Sequence, residues 1–292
     1  MSQKQKGICC ILASAFFFAI MNMMVRLAGD LPSVQKSFFR NFIAMLFSLA
    51  VVLKEKDSFH FQKKNLPILF LRAFAGTVGI LCNYYAVDHL VLSDATMLNK
   101  LSPFFVIIFS WLFLKENVSL SQGLSVLIAF GGSLFIIKPT FSNVHLGAAL
   151  IGVLGGLGAG IAYTAVRYLG MKGENKSFII FFFSAFSCVV TLPFLIFDYH
   201  PMSFSQVACL LGAGLAAAGG QFGITYAYTY APGREISVYD YSIVLFSALL
   251  GFIFLHQIPD RYSVIGYFIV CGIAVFSFFY EGKKEKDEAA LS

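Results

Sequence analysis

The chain repeats itself, and each copy contains an odd number of membrane-length segments. "VRLAGDLPSVQKSFF" at Val25–Phe39 returns as "VRYLGMKGENKSFII" at Val166–Ile180: VRxxG, then KSF, with one residue fewer between them in the second copy. The offset of about 141 residues also relates Tyr85-Ala86 to Tyr226-Ala227 and Gly131 to Gly272, and it is one residue shorter between Gly7 and Gly147. Apolar runs able to cross about 30 Å of hydrocarbon at 1.5 Å per residue lie near 7–29, 37–53, 66–87, 93–114 and 119–137, then 146–169, 177–197, 206–230, 235–255 and 262–280. Five spans per copy force the second copy to enter the membrane upside down relative to the first. The expected fold is an all-α integral membrane protein of ten transmembrane helices in two inverted five-helix repeats. The units are 7–137 and 147–280, followed by a charged cytoplasmic tail at 281–292.

Composition agrees. Hydrophobic residues make up 58% of the 292 positions and charged residues 12%, with a mean hydropathy of +0.79; soluble domains carry about a quarter charged residues. The first run, Gly7 to Ala28, is too long for a cleavable leader and lacks a small-residue cleavage pattern, so it is read as a membrane helix. With the N-terminus inside, fourteen Lys and Arg fall on the inner side and four (Arg26, Lys36, Lys138, Arg261) on the outer. The positive-inside rule then places both termini in the cytoplasm and the protein in the cytoplasmic membrane. The net charge of +6 is thus loop charge on one side, and nucleic acid is not an expected partner. The six cysteines lie in apolar runs without metal spacing and read as small packing residues. No cofactor or metal is expected.

Inverted five-helix units are a feature of secondary transporters, which build a central site between the copies. The sequence resembles the EamA-type ten-helix proteins of the drug/metabolite transporter superfamily over about 7–280. The resemblance rests on the duplicated plan, on "LSPFFVIIFSWLFLKE" with Pro103 mid-helix and Glu116 at its end, and on the Gly-rich "SQGLSVLIAFGGSLFII" that follows. The second copy departs from the pattern: Val244 stands where Pro103 would repeat, and His256-Gln257 where Lys115-Glu116 would. The resemblance implies transport of small polar metabolites, amino acids or drugs, often outward. It fixes no substrate and transfers no binding motif.

Candidate residues come from the cost of charge in lipid. An ionisable group near the bilayer centre costs about 2.5–3.5 kcal/mol on insertion scales, so it usually faces a cavity or a partner. Arg40, Arg72 and Lys100 lie within spans. Arg40 is near enough to a span end that snorkelling is the expectation; for Arg72, snorkelling and a pathway role are evenly matched. Lys100 is deeper. The repeat offset maps Lys100 onto Tyr241 and Asn99 onto Asp240. Lys100 and Asp240 are therefore expected to line the pathway from opposite leaflets, about 13 Å apart in level for regular helices, with Lys100 holding a carboxylate or phosphate and Asp240 an amine or a proton. The competing reading is a structural polar pair. Tyr239 and Tyr241 flank Asp240, and one of them is expected to meet substrate. Asn22 and Asn83 are further pathway candidates. Pro103 removes an N–H and frees the carbonyl of Asn99, making either a hinge or a static kink. Tyr228 and Tyr230 are assigned to the interfacial belt and Trp111 to an anchor. Gly152, Gly156 and Gly160 on span 6, and Gly212 and Gly220 on span 8, form small-residue faces for intrachain packing, with monomer and homodimer both open.

The leading reading is a secondary transporter for a small polar organic solute, an amino acid or related metabolite or drug, working by alternating access. The alternative is an organic-anion carrier in which Arg40, Arg72 and Lys100 form the anion site and Asp240 is structural. An enzyme would need paired carboxylates or His/Asp clusters at membrane depth, and the five histidines lie in loops or at span ends. No Walker motif is present, so ATP does not drive it directly. Asp240 is also the candidate for proton coupling.

Overall fold

The computed structural model describes residues 1–55, 61–89, 98–137, 146–255 and 261–291. The residues His60, His145, His256, Gln257, Lys56 and Lys138, and the expected start of span 4 at 93–97, lie outside them, as do the side chains of the tail at 281–292.

The described chain is helical because backbone groups in a bilayer find no water and must bond within their own segment. Its helices are α1 (Gln3–Leu27), α2 (Ser33–Lys54), α3 (Leu66–His89), α4 (Ser102–Leu114), α5 (Leu120–Ile137), α6 (Leu146–Met171), α7 (Lys176–Phe197), α8 (Phe204–Tyr230), a short α9 (Gly233–Ile236), α10 (Ser242–Leu255) and α11 (Arg261–Leu291). Among the described residues, eight helical segments are long and apolar enough to cross a bilayer, and two shorter apolar helices, α4 and α5, complete ten spans. The expected tail at 281–292 continues α11 to Leu291.

Local chemistry sets the ends. Ser2 with Gln5 and Ser203 with Gln206 form reciprocal capping boxes, and Asn175 caps α7 through Phe178 N. Lys115 takes the left-handed conformation, φ 55°, that closes α4. Gly29 and Gly173 have φ of 69° and 74° where α1 and α6 turn out of the membrane. The sequence match pairs Gly29 with Gly170, but α6 runs on to Met171 and Gly170 packs on Thr229 instead. The repeat therefore loses register in this loop.

The helix pairing has a pseudo-two-fold pattern. Exchanging the copies turns the α1–α8 pair into α6–α3, and α1–α10 into α6–α4, while α2–α7 and α5–α11 map onto themselves. All of these pairs join one copy to the other, so the repeats interleave. Close approach uses missing side chains. A Cβ on Gly156 would press on the carbonyl oxygen of Leu98, one on Gly152 on Leu98, and ones on Gly160 and Gly220 on Phe105 and Phe18. Gly212 is different: a Cβ there would meet Met24 at an ordinary 3.5 Å. Of the cysteines, Cys188 is buried, but Cys9 and Cys271 are exposed and do not pack inside.

The apolar core is displaced toward the end where α1 begins. It gathers Ile8 and Ile11 of α1, Leu69 of α3, Val166 and Leu169 of α6, Ile179 of α7 and Ile224 of α8. Tyr163 and Tyr228 stack within the same plug, centroids 5.1 Å apart.

Candidate functional site

Spans 4 and 9 both break at the same point of the repeat. In span 4 a turn precedes α4, with Leu101 N bonded to Leu98 O at 3.2 Å. In span 9 a 3-10 segment, Ser237–Tyr241, separates α9 from α10. Pro103 therefore does not kink a continuous helix: it stands in the first turn of α4, where its absent N–H needs no partner.

The breaks change a distance. The Nζ of Lys100 lies 3.1 Å from Oδ2 of Asp240. Regular helices about 13 Å apart in level would not allow this direct ion pair, and neither segment is regular helix where these residues sit. The Tyr241 hydroxyl donates to the Lys100 carbonyl at 2.9 Å and ties the two breaks together a second time.

Around this pair lies a cavity of about 170 Å³, lined from both copies. Arg40, Arg72, Asn83, Asn99, Lys100 and Asp240 all line it. Asn22, exposed, marks its rim toward the end where α1 finishes. Tyr239 and Tyr241 are buried beside it rather than in its lining. Toward the α1-start end the cavity meets the apolar plug at Tyr163, which lines it and stacks on Tyr228.

Neither arginine snorkels. Arg40 is 4% exposed and Arg72 2%. The Nε of Arg40 faces Met21 Sδ at 3.0 Å and its Nη1 donates to Asn41 Oδ1 at 3.3 Å. The Nη2 of Arg72 donates to Gln221 Oε1 at 3.1 Å, and its guanidinium lies 4.1 Å from the Phe183 ring centroid. Distance from a span end predicted snorkelling for Arg40 and left Arg72 open, but the face of the helix decides it, and both side chains are buried at the cavity. Tyr228, assigned to the interfacial belt, is 1% exposed and belongs to the plug. Sequence reasoning passed over Gln221, Phe183, Tyr163 and Met21. Gln221 had a readable signal, a lone amide in "AAAGGQFG". The other three are apolar or aromatic residues in apolar spans and gave none.

Polar contacts between the copies reinforce the plugged end. Arg167 Nε pairs with Glu116 Oε1 of the first copy at 3.1 Å, while its Nη1 donates to Thr229 O of its own copy at 3.1 Å. Glu55 accepts from Asn175 and Ser177, and Glu174 accepts from Asn65 and from Gln62 N. Opposite, Gln35 and His200 exchange two hydrogen bonds, at 2.8 and 2.9 Å. Glu116→Gln removes an ion pair that joins the segment just after α4 to α6. A charged hydrogen bond contributes about 1.5–3 kcal/mol, less for its residual exposure. With the native cysteines replaced, maleimide labelling of a cysteine placed at Ala227, within the plug, should accelerate about tenfold; an unchanged rate would show that the apolar plug alone sets access.

Among the described residues no His, Cys, Asp and Glu side chains cluster as a metal site.

The model of the EamA-like transporter family matches residues 5–138 and again 146–279. The pseudopaline exporter CntI of Pseudomonas aeruginosa is 30% identical over 264 residues, which is 90% of this chain and 92% of that protein. Solute carrier family 35 member G1 of Homo sapiens is 26% identical over 276 residues, 89% of this chain and 75% of that one. A solved crystal structure shares the fold, with a TM-score of 0.81 at 14% identity over 94% of this chain and 98% of the other.

Proposed function

Because the chain belongs to the EamA-like transporter family and is a multi-pass membrane transporter, we propose that it is a secondary carrier that moves a small polar organic solute across the cytoplasmic membrane by alternating access. The observation that carries this reading is the placement of the cavity. It holds buried charged side chains from both copies, and at one end it meets the apolar plug through Tyr163. Buried charge in a membrane helix is costly and marks a solute or ion path. Inverted repeats provide two related closures on either side of such a path. With both termini cytoplasmic, as the loop charges favour, the plug is the cytoplasmic gate and the structure faces outward. Lys100, Asp240, Asn99 and Asn83 then line the solute path. The pseudopaline exporter supports outward movement.

The test is counterflow in proteoliposomes without ATP. Solutes that stabilise the purified protein, drawn from amino acids, phosphate esters and nucleoside-type metabolites, are loaded inside, and labelled solute is added outside. A carrier accumulates label transiently and is accelerated by internal solute. Flux indifferent to internal solute would indicate a channel and reject alternating access.

A further inference from the structure

We propose that the solute is a small organic dianion, a dicarboxylate or a phosphate monoester, held between Arg40 and Arg72; this rests on the carrier reading and names its substrate class.

Three cations and one carboxylate line the cavity. Lys100 and Asp240 satisfy each other at 3.1 Å. That leaves two guanidinium charges. Among the described residues no carboxylate pairs with either arginine. Their partners are a thioether, two amide oxygens and an aromatic face. Those groups orient a guanidinium without discharging it. The Nε of Arg72 is buried with no hydrogen-bond partner at all. Removing an unpaired ion from water costs several kcal/mol even after relaxation, so two such groups in one cavity call for anionic charge from outside the protein.

The scaffold does not require them. The register that aligns Lys36 with Lys176 places Ile180 at the position of Arg40, and the offset of 141 places Ala213 at that of Arg72. Both counterparts are fully buried apolar residues. The same position in the inverted copy thus packs without charge. All three cations come from the first copy and the acid from the second, an asymmetry that pseudo-two-fold packing alone does not generate. A guanidinium presents a planar fork that matches carboxylate or phosphate oxygens in pairs. Phe183 covers one face of the Arg72 fork and Gln221 takes its Nη2, and neither neutralises the charge. A neutral solute would leave both charges standing, and a cation would add to them. The cavity of about 170 Å³ restricts the dianion to a small one.

The full-length protein in detergent is titrated at fixed ionic strength with succinate and glycerol 3-phosphate, and with succinamide and 1,4-diaminobutane as neutral and cationic counterparts. Binding is read from thermal stabilisation. The two dianions are expected to stabilise saturably and the counterparts not to. Arg40→Gln and Arg72→Gln are each expected to weaken dianion binding about 30-fold or more, since each leaves a buried anion short of a partner. Arg72→Lys keeps the charge without the fork and is expected to bind at intermediate strength, which separates loss of site from loss of fold. Equal stabilisation by succinamide or the diamine, dianion affinity unchanged in both glutamine variants, or no response to either dianion from folded wild type overturns the proposal. Counterflow of a neutral or cationic solute would reject the dianion and leave the carrier standing. Arginine-dependent dianion binding with no counterflow would reject the carrier and leave the anion site.

Discussion

Lys100→Met is expected to lower the stability of the protein by about 3–5 kcal/mol and to abolish transport. The lysine is 6% exposed and its partner Asp240 8%. Removing one member of a buried ion pair leaves the other charge without compensation, which is where a penalty of about that size arises. Asp240→Leu is expected to be worse, because it leaves Lys100 in a cavity already lined by Arg40 and Arg72. The double variant Lys100→Met/Asp240→Leu removes both charges. Replacing a buried pair with apolar residues is often neutral or stabilising, so most of the lost stability should return. Transport should not, if the pair lines the solute path. Thermal unfolding and counterflow on the four proteins decide the matter. A double variant as unstable as the singles would mean that the pair is not what fixes the two helix breaks. Wild-type transport by the double variant would reduce the pair to packing.

The second large effect is a steric one. Gly158→Val is expected to destabilise the bundle by about 3 kcal/mol or more, at or beyond the upper end for overpacked cores. A Cβ at Gly158 would lie 2.7 Å from Ala75 O and 2.9 Å from Gly79 Cα. Both are backbone atoms of α3, so no rotamer change relieves the clash. At Gly155 a Cβ would lie 3.1 Å from Asn83 N. Helices α3 and α6 thus touch backbone to backbone along Gly79, Gly155 and Gly158. Prising them apart also displaces Arg72 and Asn83 from the cavity wall. Gly131→Ala and Gly272→Ala are the controls. These repeat-related glycines have nothing within 4 Å of an added Cβ, and each alanine should be neutral or stabilise its helix by up to about 1 kcal/mol. A loss of stability at the controls equal to that at Gly158 would show that helix propensity, rather than contact, dominates.

The glycines show how far the sequence could be read. Gly152, Gly156 and Gly160 stand out because they recur every four residues, and each meets another helix: α3 and Leu98 at Gly152, the turn before α4 at Gly156, and Phe105 at Gly160. The tighter α3–α6 contact uses Gly155 and Gly158, three apart and unremarkable in the string. A one-dimensional pattern marks a small face but does not say which partner approaches it, or how closely. Tyr228 gives the same lesson. Nearness to the end of α8 suggested an interfacial residue, yet the plug lies at that depth and encloses it.

What the sequence determined by itself was the ten-span duplicated plan, because the cost of unbonded backbone in lipid leaves apolar runs of that length few alternatives to helix. It also determined which polar positions correspond, since repeat register survives as identity: Asn99-Lys100 against Asp240-Tyr241. Depth and direction were left to the tertiary structure. A rise of 1.5 Å per residue holds only where the helix is regular, and Lys100 and Asp240 meet at the turn before Ser102 and the 3-10 segment Ser237–Tyr241, where it does not. Whether Arg40 and Arg72 reach for headgroups or for the cavity depends on how α2 and α3 are rotated, and that is fixed by contacts with the other copy, formed by residues more than a hundred positions away.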